Sequence, residues 1–215
     1  MIGNFMIFGD SYSTHKEYIP EGYAFYYCSE GRNPDEPVTK MLPRQTWWGH
    51  LIEHTGATLV HNNSWSGSTI GHTGYAGDCS ATSSFICRYR KLSASGFFEK
   101  KEIDTIFVFG GTNDSWSDAP LGTEMYADWK ETDLFCVLPA ICYFMTQLKQ
   151  NHPDARIVFI VNCDIKEEIA ACIQNASAGL GVECVTLHGI DKLAGHPTTA
   201  GMEQIYLQVK EQLKL

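Results

Sequence analysis

The sequence predicts an α/β protein in which helices cover both faces of a mostly parallel sheet. Five short runs rich in Val, Ile and Phe lack strict alternation of apolar and polar residues, as expected for strands buried on both faces. Stretches with helical spacing separate these runs, and strands that alternate with helices form a three-layer, doubly wound fold. The length of 215 residues fits a single domain over residues 1–215.

The predicted strands are apolar segments of four to six residues: Asn4–Phe8, Thr58–His61, Thr105–Phe109, Arg156–Val161 and Val182–Leu187. The predicted helices are the longer periodic segments between them: Thr46–Thr55, Asp133–Asn151, Asp164–Ala178 and His196–Leu215. Asp164 suits an N-cap, and Pro197 suits the first turn of the last helix.

Composition and charge exclude several classes of partner. The formal net charge is −9 and no Lys/Arg cluster occurs, which argues against nucleic acid. No apolar stretch approaches the ~20 residues of a membrane span, and no basic segment precedes an apolar one at the start. We therefore expect no membrane association and a cytoplasmic location. The eight cysteines include no Cys-x-x-Cys pair and are expected to be free thiols.

Polar and glycine-containing segments follow the predicted strands. Gly9-Asp10-Ser11 comes after the first strand, Asn62–Gly67 after the second, and Gly110–Asp114 after the third. A further loop near the C-terminus carries His196. Ligands bind beyond the carboxyl ends of the strands in doubly wound sheets. We therefore expect these segments to meet at one edge.

The residue types in these segments fit acyl transfer. A serine hydroxyl such as that of Ser11 needs a base to take its proton, and His196 can supply that base. The tetrahedral intermediate needs hydrogen-bond donors aimed at its oxyanion. The backbone N–H groups of Ser11 and Gly67 and the side-chain amide of Asn113 are the expected donors.

These segments together resemble the SGNH hydrolase family, also called GDSL esterases and lipases. The resemblance rests on Gly9-Asp10-Ser11, Asn62 to Gly67, Gly111-Thr112-Asn113-Asp114 and His196-Pro197, which occur in the family's order. It implies a flavodoxin-like α/β/α sandwich of about five strands, a serine nucleophile, no metal and no cofactor.

The sequence departs from the family pattern at the catalytic acid. The family usually places an Asp three residues before the His, but Leu193 stands there. Asp191, five residues before His196, is the expected third member of a triad, and it would raise the pKa of His196. The alternatives are a capping role for Asp191 and a Ser-His dyad whose histidine is oriented by a backbone carbonyl or a water.

Two long connections, residues 12–44 and 115–132, are rich in aromatic residues and are expected to border the pocket. The expected pocket residues are Trp116, Tyr12, Trp65 and Tyr126. The remaining histidines are interpreted as surface or core residues: His15, His50, His54, His61, His72, His152 and His188.

The leading functional hypothesis is a serine esterase that hydrolyses short-acyl esters, with an acetyl group on a carbohydrate as the first substrate considered. A lysophospholipase or thioesterase of the same family is the alternative within the enzyme class. A catalytically silent binding module would explain Leu193. A flavin or nucleotide binder is disfavoured because the chain lacks a glycine-rich phosphate loop. The oligomeric state stays open.

Overall fold

The fold is a three-layer α/β/α sandwich, as the sequence predicts. The computed structural model describes all 215 residues. The strands are β1 (Asn4–Gly9), β2 (Thr58–Ser64), β3 (Thr73–Gly74), β4 (Gly77–Asp78), β5 (Thr105–Phe109), β6 (Arg156–Val161), β7 (Glu183–Thr186), β8 (Lys192–Leu193) and β9 (His196–Pro197). The α-helices are α1 (Trp47–Thr55), α2 (Phe85–Ala94), α3 (Phe97–Lys100), α4 (Thr112–Trp116), α5 (Val137–Asn151), α6 (Glu167–Leu180) and α7 (Thr199–Leu213).

The central sheet has five parallel strands in the order β2-β1-β5-β6-β7. The chain runs from β1 to β2 on one side and then crosses to β5 on the other side of β1. The strand order therefore reverses between β1 and β5. A crevice opens at such a point, beyond the carboxyl ends of the two strands.

Side chains on both faces of the sheet are buried in two apolar cores. Along β1, Met6 and Phe8 pack with α2, α5 and α6, whereas Phe5 and Ile7 pack with α1 and α7. Successive side chains of a strand point to opposite faces, and here both faces are covered. This double burial explains why the strands lack polar alternation.

The structure corrects several predicted boundaries and adds elements that were not predicted. Helices α2 and α3 and the hairpins β3–β4 and β8–β9 were not predicted. The helix expected from Asp164 begins at Glu167, because Asp164 adopts a positive φ of 66°. His196 belongs to β9, and the last helix begins at Thr199. None of the helices combines the length and apolar character that a membrane crossing requires.

Candidate active site

Ser11 and His196 meet at the crevice between β1 and β5. Asp10 follows β1 and caps a short 3-10 helix, Ser11–Ser13, by accepting a hydrogen bond from the backbone N–H of Tyr12 at 3.0 Å. This turn presents the Ser11 hydroxyl at the strand end. The Oγ atom of Ser11 lies 3.0 Å from Nε2 of His196, although 185 residues separate the two in sequence. This distance allows direct proton transfer from the hydroxyl to the imidazole.

A backbone carbonyl orients the imidazole of His196. Its Nδ1 lies 3.1 Å from the carbonyl oxygen of Ala194, so Nδ1–H donates to that oxygen and Nε2 is left to accept from Ser11. Ala194 and Gly195 form the two-residue turn between β8 and β9, with φ values of 50° and 77°. Positive φ at both positions matches the right-handed twist of a hairpin. The hydroxyl of Tyr12 donates to the Gly195 carbonyl at 2.5 Å and holds this turn against the sheet.

The structure does not bring Asp191 to His196. The hairpin pairs Lys192 with Pro197, and its next rung places Asp191 opposite Thr198, whose N–H donates to the Asp191 carbonyl at 3.1 Å. The Asp191 carboxylate accepts from the Thr198 hydroxyl, and no carboxylate oxygen lies within 4.0 Å of a ring nitrogen of His196. Thr198 caps α7, so Asp191 supports the helix start. The expected triad contact is replaced by the Ala194 carbonyl.

Aromatic rings enclose the imidazole. Tyr26 stacks on His196 with ring centroids 3.6 Å apart and an interplanar angle of 8°. Trp116 approaches edge-on at 6.3 Å, and Tyr12 lies at 5.6 Å on another side. The connections 12–44 and 115–132 therefore both supply walls of the site. These rings also restrict how far the imidazole can rotate.

Burial lowers the pKa of His196. The positive charges of Arg32 and Lys192 lower this pKa further, and the Ala194 carbonyl partly opposes them. The expectation of a raised pKa depended on an adjacent carboxylate, which the hairpin places elsewhere. The imidazole is consequently neutral, and able to accept a proton, at pH values below the usual range for histidine.

The three donors expected for an oxyanion each keep a hydrogen that no protein atom accepts. The backbone N–H groups of Ser11 and Gly67 donate to no atom of the protein. The amide nitrogen of Asn113 donates one hydrogen to the Ser68 carbonyl at 3.0 Å and keeps a second hydrogen free. Gly67 has a φ of 80°, and a Cβ there would meet nothing within 4 Å, so conformation rather than space favours glycine.

Tyr75 fixes the orientation of the Asn113 amide. Its hydroxyl donates to Oδ1 of Asn113 at 3.0 Å, which commits the oxygen and leaves the nitrogen to act as donor. Tyr75 lies in the turn between β3 and β4 and is 57 % exposed. A substrate in the crevice can therefore contact it.

The guanidinium of Arg88 joins the segments that carry the donors. From α2 it donates to the backbone carbonyls of Gly9, Asn63 and Ser83, to the Asn63 side chain at 2.7 Å, and to the Ser68 hydroxyl at 3.0 Å. Arg88 is fully buried, and burial lowers its pKa to about 10. A buried charge is tolerated when its donors are satisfied, as they are here.

Two buried carboxyl groups lie beneath the same region. Asp114 accepts from the backbone N–H groups of Ile70 at 3.0 Å and Gly71 at 3.2 Å, which ties α4 to the segment after Gly67. Burial raises the pKa of Asp114 to about 6 and that of Asp10 to about 7. Asp10 and Asp114 thus support the backbone around Ser11.

The other two predicted pocket residues, Trp65 and Tyr126, lie in different parts of the structure. Trp65 packs against Tyr23 at 4.4 Å in the turn that leads to Gly67. Tyr126 donates to Glu124, whose carboxylate also accepts from Asn175 on α6, and no hydrogen bond or ring contact joins it to Ser11 or His196. Tyr126 was expected in the pocket because it lies in the connection 115–132, but its contacts lie over α6.

The site residues expected from the sequence did not include Tyr26, Tyr75 or Arg88. The aromatic content of residues 12–44 and the position of Tyr75 after the second strand were available signals. Nothing in the sequence around Arg88 indicates a buried guanidinium, because arginine on a helix is usually exposed.

A serine hydroxyl paired with a histidine at the switch point of a parallel sheet defines the class of α/β serine hydrolases. The comparisons with known proteins agree. The model of the family described as GDSL-like lipase/acylhydrolase matches residues 3–213 of this chain. The chain therefore belongs to the GDSL-like lipase/acylhydrolase family and is an ester hydrolase of the SGNH type.

Solved structures extend this comparison. The chain is 39 % identical to a protein from Bacteroides uniformis described as a GDSL-like lipase, over 99 % of this chain and 96 % of that one, with a TM-score of 0.89. A Bacteroides ovatus protein with the same description is 36 % identical over 100 % and 99 % of the two chains, with a TM-score of 0.88. An acetyl xylan esterase from Butyrivibrio proteoclasticus shares the fold at 16 % identity, over 99 % of this chain and 63 % of that one, with a TM-score of 0.62. No curated protein matches the chain in sequence.

Proposed function

We propose that the protein hydrolyses short-acyl carboxylic esters, with acetyl esters of a carbohydrate as its substrate class, through a Ser11–His196 dyad. The observation that carries the proposal is the 3.0 Å contact between Ser11 Oγ and His196 Nε2 beside three available donors. A hydroxyl, a neutral base and preorganised donors are the parts that acyl transfer needs.

The proposed reaction begins when Ser11 Oγ attacks the acyl carbon while its proton passes to His196 Nε2. The carbonyl oxygen becomes an oxyanion held by the N–H groups of Ser11 and Gly67 and by the Asn113 amide. The imidazolium then gives its proton to the leaving alcohol oxygen as the C–O bond breaks. Water repeats the same steps on the acyl-serine and releases the carboxylic acid.

The Ala194 carbonyl orients the histidine, which is the role of the aspartate in a triad. It accepts from Nδ1–H and holds the tautomer in which Nε2 faces Ser11. The absence of an acid at Leu193 is therefore compatible with activity. This contact argues against the silent binding module, whose support was the missing acid.

The walls of the site favour a sugar ester. Trp116 and Tyr75 are 39 % and 57 % exposed at the crevice, and aromatic faces pack well against the apolar faces of sugar rings. The fold shared with an acetyl xylan esterase supports the same substrate class. Tyr26, Trp116 and the β8–β9 turn close around His196, which favours a small acyl group over a long chain.

The test compares acetylated xylo-oligosaccharides and p-nitrophenyl acetate with p-nitrophenyl octanoate and lysophosphatidylcholine. We expect acetyl esters to have the highest kcat/KM. Ser11→Ala should lower turnover by at least ~10³-fold and abolish labelling by a fluorophosphonate, whereas Ser93→Ala, an exposed serine on α2, should behave as wild type. Preference for the octanoyl ester or the lysolipid would favour the lipase alternative, and unchanged labelling of Ser11→Ala would move the nucleophile elsewhere.

A further inference from the structure

A second cluster of chemically active side chains lies on α1. His50, Glu53 and His54 occupy positions i, i+3 and i+4, which share one face of a helix. Their potential ligand atoms all lie within 4.8 Å of one another. We propose that these three residues form a binding site for a divalent transition-metal ion of the Zn²⁺ type, separate from the ester-hydrolysing site.

The imidazole of His54 is arranged to ligate through Nε2. Nδ1 of His54 lies 2.8 Å from the His50 carbonyl oxygen, so it carries the proton and leaves the Nε2 lone pair free. A hydrogen bond from the second ring nitrogen is the usual device that orients a metal-binding histidine. Imidazole and carboxylate ligands together suit Zn²⁺, with Zn–N distances of about 2.0–2.1 Å.

Tyr206 of α7 holds both rings. Its ring stacks on His50 at 5.7 Å and on His54 at 5.0 Å, with interplanar angles of 23° and 26°. The Tyr206 hydroxyl is buried and has no hydrogen-bond partner in the protein. Because Tyr206 already restricts rotation of the two imidazoles, they lose less rotational freedom when an ion binds. The cluster is consequently more ordered than two exposed histidines on an isolated helix.

The surroundings of the cluster are compatible with a cation. His50 is half-buried, whereas Glu53 and His54 are exposed, so an ion can reach the cluster from solvent. Glu203 is exposed on α7 and its negative charge acts on His50.

The cluster lies at the edge of the sheet opposite to Ser11. His54 borders a surface groove with Met1, Ile2 and Leu213, which are at the start of β1 and the end of α7. The other end of α1 faces the nucleophile segment, where Trp47 donates to the Ser13 hydroxyl at 3.1 Å. A metal ion at His54 therefore binds outside the ester-hydrolysing site, and its expected effect is on stability.

The experiment titrates chelator-treated full-length protein with ZnCl₂ by calorimetry and records thermal unfolding with and without Zn²⁺. We expect one saturable site and a rise in Tm, because the ion binds the folded chain in preference to the unfolded one. His54→Gln should weaken binding by at least ~10-fold and abolish the rise in Tm. His188→Gln, an exposed histidine after β7, is the matched control and should bind Zn²⁺ as wild type does.

Fluorophosphonate labelling of Ser11 reports whether each variant is folded, and it should be the same in all of them with and without Zn²⁺. Absence of saturable binding to the wild-type protein would overturn the proposal. Equal affinity in wild type and in a folded His54→Gln variant would also overturn it, because the ion would then be bound elsewhere, for example by thiols.

Discussion

The two sides of Ser11 are supported in different ways: the oxyanion side carries Gly67 and Asn113, and the base side carries His196. On the oxyanion side, the buried charges of Arg88 and Asp114 hold the donor segments through several hydrogen bonds each. On the base side, His196 is held by one neutral backbone carbonyl and by packed aromatic rings. Hydrogen bonds to charged groups are roughly twice as strong as neutral ones. The oxyanion side is therefore rigid but sensitive to single substitutions, whereas the base side tolerates changes of nearby acidic residues.

Arg88→Met tests the most heavily connected residue of the oxyanion side. The substitution leaves the buried carbonyls of Gly9 and Asn63 without their donor and removes a positive charge near Asp10. We expect the free energy of unfolding to fall by about 3–5 kcal/mol, the usual cost of breaking a buried charged network. Urea denaturation measures this loss. Arg90→Met, a half-exposed arginine of the same helix, is the control, and similar losses in both variants would contradict the connecting role of Arg88.

Asn113→Ala removes one donor of the same side and none of the hydrogen bonds that Arg88 donates. We expect kcat for p-nitrophenyl acetate to fall by roughly 10²–10³-fold with little change in KM, because the lost hydrogen bond forms to the charge that develops in the transition state. Asn175→Ala on α6 should leave both constants unchanged. A large rise in KM with an unchanged kcat would instead make Asn113 a residue that binds the ground state.

Tyr26→Leu tests the aromatic support of the base side. Loss of a stacked pair costs about 0.5–1.5 kcal/mol, so kcat should fall by up to about tenfold. The variant also exposes His196 to more water. Since burial lowers the pKa of His196, the midpoint of the pH–rate profile should move upward toward the ordinary value of ~6.5. A tenfold loss with an unmoved midpoint would mean that Tyr26 acts on the substrate.

Asp191→Asn should have the smallest effect. Activity requires neutral His196, so kcat/KM rises with pH through the His196 pKa, and the lowered pKa places the wild-type midpoint below ~6.5. Because Asp191 contacts Thr198 rather than His196, we expect the midpoint to stay in place and kcat to remain within about threefold of wild type. A loss near ~10⁴-fold, as for a triad acid, would restore the triad.

The sequence predicted the five strands of the central sheet well, for a physical reason. Buried parallel strands require apolar, β-branched runs such as Arg156–Val161, and the polar segment that follows each run must lie at the same sheet edge. These constraints act on neighbouring residues, and a sequence displays them directly. The parallel direction of all five strands follows from the alternation of strands with helices along the chain.

Features that depend on tertiary contacts were not predictable in this way. Helix α2 was missed because Arg88 occupies a buried position and interrupts its apolar pattern. The expectation that Asp191 orients His196 relied on a side-chain pattern, but every residue has a carbonyl, so sequence cannot show that Ala194 takes this part. Tyr26 and Tyr126 both lie in aromatic connections, and only the folded chain separates the one that stacks on His196 from the one over α6.

The turn that carries the orienting carbonyl has a consequence for protein engineering. Ala194 has a φ of 50°, a conformation that costs an ordinary L-residue roughly 1–2 kcal/mol. Its contact with His196 is made by the carbonyl oxygen, so the methyl group contributes nothing to it. Asparagine or glycine at this position would relieve the strain while leaving that oxygen in place. Such a substitution can thus raise thermostability two residues from His196.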